Sequence, residues 1–94
     1  MSSISPANAS AEETIYTCSF EPPHRLKLES KTLTPRGTVL RLSDADHPEI
    51  PPRHVFVTGA ELKMGYENVY KACFLCVDRG RKEKAFAVPK SDLE

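Results

Sequence analysis

Val69-Tyr70-Lys71-Ala72-Cys73-Phe74-Leu75-Cys76-Val77, followed by Asp78-Arg79-Gly80-Arg81 and then Lys82 to Leu93, admits two incompatible readings. In one, Cys73-x-x-Cys76 is half of a metal or redox site. In the other, the same residues form one arm of a β-hairpin. The run Ala-Cys-Phe-Leu-Cys-Val contains neither Gly nor Pro, and positions three apart on a strand point to opposite faces. The spacing therefore favours the hairpin. With Asp78–Arg81 as its loop, Val77 lies opposite Lys82, Cys73 faces Phe86, Lys71 faces Val88 and Leu75 faces Lys84. Apolar residues then collect at the base and charge at the tip.

Upstream of this segment the strand signals continue. Thr14 to Phe20 alternates and is rich in β-formers, ending at Pro22-Pro23. Arg25-Leu26-Lys27-Leu28-Glu29 has period two, with both leucines inward. Pro35-Arg36-Gly37 marks a turn, and Thr38 to Leu42 reads as a further strand. Ser43 to Pro52, with three prolines and several turn-forming residues, reads as a stiff exposed loop. Arg53 to Thr58 is a strand on which His54 and Phe56 share a half-buried face, and Ala60 to Gly65 supplies a short helix closed by glycine. About five short strands and little helix predict an all-β or mainly β fold, a small barrel or roll over residues 14–94. Residues 1–13, poor in apolar side chains, read as a flexible tail.

The order of the pieces resembles an SH3-like barrel. Arg36 to Leu42 resembles its glycine-led second strand, Val69 to Phe74 the strand before the distal hairpin, and Phe86 to Leu93 the closing strand with its helical turn and final apolar residue. SH3 domains bind polyproline helices on an aromatic groove. Here Val69 stands where the family has tryptophan and Asp92 where it has tyrosine, and only Pro89 of that set carries over. The resemblance thus implies the fold and not the polyproline groove.

Composition narrows the function classes. Ninety-four residues make one domain of modest stability, and a net charge of zero removes any bulk attraction to nucleic acid or membrane. Three cysteines cannot pair completely, so thiols in a reducing compartment are expected, and with no signal-like N-terminus or transmembrane run the chain is placed in the cytoplasm. No phosphate loop, nucleophile elbow or His-Glu-x-x-His helix is present, so no enzyme is expected.

Cys18 and His24 complete a four-ligand zinc set with Cys73 and Cys76 on paper. The strand geometry and the Cys-x5-His spacing oppose it, so neither metal nor cofactor is expected. Redox chemistry would need Cys73 at a helix N-terminus, and no helix is predicted there. Two loops remain as binding surfaces: the basic tip (Arg79, Arg81, Lys82, Lys84) and the proline-acidic loop (Asp44, Asp46, His47, Glu49). The first reading is a non-enzymatic module contacting a protein partner through both. The second is a nucleic-acid-binding barrel using the basic tip, and a zinc-stabilised protein ranks third. An unpaired strand edge also leaves homodimerisation open.

Overall fold

The computed structural model describes residues 14–94; the expected tail at 1–13 lies outside them. Among the described residues six strands and two short helices follow one another: β1 (Ile15–Thr17), β2 (Arg25–Thr34), β3 (Gly37–Asp44), β4 (Arg53–Thr58), α1 (Gly59–Lys63), β5 (Asn68–Ala72), α2 (Phe74–Asp78) and β6 (Ala85–Pro89), with a closing 3-10 turn at Lys90–Leu93. The fold is small and mainly β, as its alternating segments predict.

β1 to β4 form an antiparallel meander, and β5 pairs with β6 in a second, two-stranded sheet. Among the described residues, β4 pairs only with β3 and β5 only with β6, so the expected barrel does not close. The sheets are joined instead through the chain leaving β1, where Cys18 bridges to Phe86 and the Ser19 N–H donates to the Ala85 carbonyl at 3.3 Å.

Alternation puts Leu26 of β2 and Leu40 and Leu42 of β3 inside, where they pack with Tyr16, Phe86, Val88 and Leu93. A bulge between Leu28 and Ser30 breaks the register, and the rest of β2 runs out into solvent with Leu33 exposed. The Thr34 hydroxyl accepts from the Arg36 and Gly37 N–H groups, fixing the β2–β3 turn. The Thr38 hydroxyl donates to the Leu93 carbonyl at 3.0 Å and ties the C-terminal turn to the core.

β4 has the predicted bounds but the opposite facing. Val57 is buried, while His54 and Phe56 point outward, so His54 is no packing residue. After β4 a capping box starts α1: Thr58 Oγ1 accepts from the Glu61 N–H, and Glu61 Oε1 accepts from the Thr58 N–H at 2.8 Å. That backbone donor, with Lys71 Nζ at 3.2 Å, holds the Glu61 carboxyl below its ordinary pKa and links α1 to β5. The predicted stiff loop also begins later than expected, because Ser43 and Asp44 continue β3 and are buried.

The largest departure is the terminal hairpin. β5 and β6 do pair, but in the register Val69↔Val88, Lys71↔Phe86 and Ala72↔Ala85. The ladder ends where the Cys73 N–H donates to the Lys84 carbonyl. Residues 73–84 leave the sheet altogether, and Cys73 and Cys76 lie on no strand.

Candidate metal centre

Two backbone reversals bring four soft ligands together. The first runs from Cys18 to His24. After β1 the chain turns through Pro22-Pro23 and comes back antiparallel to itself, so the Cys18 N–H donates to the His24 carbonyl at 3.0 Å. The His24 N–H in turn donates to Cys18 Sγ at 3.2 Å. The turn thus holds one ligand at each end.

The second reversal is at Cys73-Phe74-Leu75-Cys76. Cys73 is the extended N-cap of α2, and its carbonyl accepts from the N–H groups of Cys76 at 3.0 Å and Val77 at 3.2 Å. On such a turn residues three apart lie on the same side, the reverse of their placement on a strand. α2 ends at Asp78 with Arg79 as its C-cap, and Gly80 follows with a φ of +71°, left-handed backbone suited to glycine. There the Arg81 N–H donates to the Cys76 carbonyl at 3.0 Å and returns the chain to β6.

The ligand atoms of Cys18, His24, Cys73 and Cys76 all lie within 4.8 Å of one another. His24 Nδ1 is 3.3 Å from Cys76 Sγ and 3.6 Å from Cys73 Sγ. Tetrahedral zinc with Zn–S of about 2.3 Å and Zn–N of about 2.0 Å requires sulfur–nitrogen separations of about 3.5 Å. The observed distances bracket that value. One imidazole lone pair cannot serve two sulfurs equally well as a hydrogen-bond acceptor, whereas a central cation satisfies every donor atom at once.

All three sulfurs are buried and His24 is half-buried. Burial pushes the Cys73 thiol up to about 12, and burial likewise raises Cys76. Burial acts upward on Cys18 too, but the backbone N–H groups of His24 and Phe20 and the two neighbouring thiols outweigh it and hold Cys18 low. Burial, reinforced by the positive charges of Arg79 and Arg81, keeps the His24 imidazole below its ordinary pKa and hence in the neutral form a metal requires.

Two sequence expectations are corrected here. The argument that set metal aside, sulfurs split across a sheet, fails because the sheet ends at Ala72. The argument against redox chemistry, the lack of a helix at Cys73, fails as well. The thiol is nevertheless fully buried and raised in pKa, the opposite of an activated nucleophile.

Of the predicted binding residues, two of the basic set lie against Phe20, in the turn between Cys18 and His24, and the acidic set lies at the end of β3 and in the loop after it. Arg81 lies over the Phe20 ring at 4.9 Å from its centroid and Lys84 at 5.6 Å; Arg79 and Lys82 are exposed. Asp44 is buried, and its Oδ1 accepts from the Asp46 N–H at 2.9 Å, so it does not offer itself to a partner. Asp46 pairs with Arg25 at 3.5 Å, and His47 Nδ1 with Glu49 at 3.3 Å. A cleft of about 450 Å³ beside α1 and β5, lined by Glu61, Met64, Tyr66 and Tyr70 among others, holds one carboxylate that is already committed to Thr58 and Lys71.

Comparison with known protein families, curated proteins and solved structures finds no match, so the centre is read from its own geometry. No helix among the described residues is long and apolar enough to cross a membrane.

Two signals in the sequence point to this site. Gly80 stands where a short helix beginning at Cys73 would need its C-terminal glycine, and Pro22-Pro23 lies inside the Cys18 to His24 interval as a turn lies inside a knuckle.

Proposed function

We propose that the chain is a zinc-stabilised binding module in which Cys18, His24, Cys73 and Cys76 hold one structural zinc ion. The convergence of these four donors within 4.8 Å carries the reading. Three thiolates and an imidazole suit zinc, a borderline-soft ion with no geometric demand beyond the tetrahedron. Four protein ligands leave no open position for water or substrate, which argues for a structural centre and against a catalytic one. Three unpaired cysteines fit a reducing compartment, and the cytoplasm is the natural setting.

The metal would do what the core does weakly. A chain of this size buries too little surface for a wide margin of stability. The zinc ion fastens the β1–β2 loop to the loop between β5 and β6, beside the junction where Cys18 bridges to Phe86 and Ser19 bonds to Ala85. Residues 73–84, with only a five-residue helix among them, gain a fixed shape from it. The basic groups they carry then sit on a rigid support.

Native mass spectrometry of the untagged chain tests this. A mass increment equal to one zinc ion per chain is expected, lost when the protein is unfolded in acid. A folded chain with no bound metal would overturn the proposal.

A further inference from the structure

We infer that the rim of this centre binds single-stranded nucleic acid, with Phe20 as a base-stacking platform and Arg79, Arg81, Lys82 and Lys84 as phosphate contacts. The inference rests on the metal-centre reading, because the ligands hold these groups in place. Phe20 lies in the turn between Cys18 and His24, only half-buried although it is one of four phenylalanines in the chain. The Arg81 guanidinium lies over its ring at 4.9 Å and the Lys84 ammonium at 5.6 Å, with the His24 ring tilted against it at 5.7 Å.

An aromatic ring and a guanidinium stacked together, with further cations beside them, offer an unpaired base a π-surface and its flanking phosphates their counter-charges. A duplex hides its base faces and would leave Phe20 unused. An acidic peptide would use the cations and ignore the ring.

The charge on this rim is not neutralised by carboxylates, although Arg81 and Lys84 also lie over Phe20. Arg25, Arg53 and Lys71 pair with Asp46, Asp78 and Glu61. Arg79, Arg81, Lys82 and Lys84 make no ion pair among the described residues, and Glu83 is the one acidic residue between Arg79 and Lys84. The chain as a whole is neutral, so the positive field is local to the rim.

Fluorescence anisotropy of labelled oligothymidylate and oligouridylate with the zinc-loaded full chain tests the surface, and the two probes distinguish DNA from RNA as the source. Four phosphate contacts at a single-strand slope of about −0.7 each predict about 50-fold weaker binding between roughly 25 and 100 mM salt. Phe20→Leu, which keeps the apolar bulk and loses the ring, is expected to weaken binding by about fivefold or more. Reversal of Arg79, Arg81, Lys82 and Lys84 to Glu is expected to abolish it. Absence of binding at low salt, or equal affinity in Phe20→Leu, would overturn the surface, as would a polyglutamate peptide that competes as well as the oligonucleotide. Metal content is read on the same samples: binding absent with zinc retained overturns the surface alone, whereas a metal-free folded chain overturns the centre beneath it.

Discussion

Cys73→Ala is expected to lower the melting temperature by about 20 °C or more and to reduce zinc content to near zero. Structural zinc in small domains contributes on the order of 10 kcal/mol of apparent binding energy, comparable with the roughly 5–10 kcal/mol that hold a domain of this size together. Loss of one ligand thus removes most of the margin. If Cys73 were an ordinary buried thiol, the same change would leave a small cavity costing about 1–2 kcal/mol, or about 4–16 °C in a domain this small.

Additivity separates the two cases further. Ligands of one metal act as a unit, so Cys73→Ala with Cys76→Ala should melt close to either single variant, whereas independent core residues would add their costs. A chelator applied to the unaltered chain should reproduce the variants. Thermal denaturation followed by circular dichroism, with metal analysis of each sample, measures all of this. Additive, modest losses would show that the thiols are packing groups.

Gly37→Ala is expected to cost about 3 kcal/mol or more, a fall of about 12–24 °C in melting temperature. A Cβ at Gly37 would lie 2.1 Å from the Val57 carbonyl oxygen and 3.0 Å from Thr58 Cα. Both are backbone atoms of β4, which cannot retreat without breaking the β3–β4 register that begins at Gly37↔Thr58. Gly65 and Gly80 have open space around them and left-handed φ angles of +76° and +71°, so alanine there meets only the backbone penalty of about 1–2 kcal/mol. Differential scanning calorimetry of the three variants gives the order. Gly37→Ala melting within a few degrees of Gly80→Ala would contradict the close approach of β3 and β4.

These effects fall on residues of unequal visibility in the sequence. β2 and β3 were legible because one face of each carries apolar side chains at alternate positions, as Leu26, Leu40 and Leu42 show, whereas in β4 only the bounds were, since Val55, Phe56 and Val57 are consecutive and do not mark the inward face. α1 was legible because Ala60 to Lys63 are helix formers and Gly65 closes them. Residues 73–78 were not. Phe74, Leu75 and Cys76 are consecutive and all buried, so they show neither a period of two nor of 3.6, and a five-residue helix is too short to reveal its period.

The apolar run read as strand because the force that bends it lies elsewhere in the chain. Cys18 and His24 meet Cys76 from 58 and 52 positions away, a convergence that spacing within the Cys-x-x-Cys segment does not disclose. The basic tip was found by charge alone, and its relation to Phe20 became visible only once the Cys18–His24 turn was folded against it. Asp44 was read as part of an exposed loop for a related reason. Asp44 ends a buried strand, and its carboxylate is occupied in shaping the turn that follows.

X-ray absorption at the zinc K-edge, on the purified full chain, tests the centre most directly. A first shell of three sulfurs at about 2.3 Å and one imidazole nitrogen at about 2.0 Å is expected, the nitrogen lost in His24→Ala and one sulfur in Cys18→Ala. A shell of oxygen ligands, or one unchanged by either substitution, would place the metal elsewhere and contradict the account.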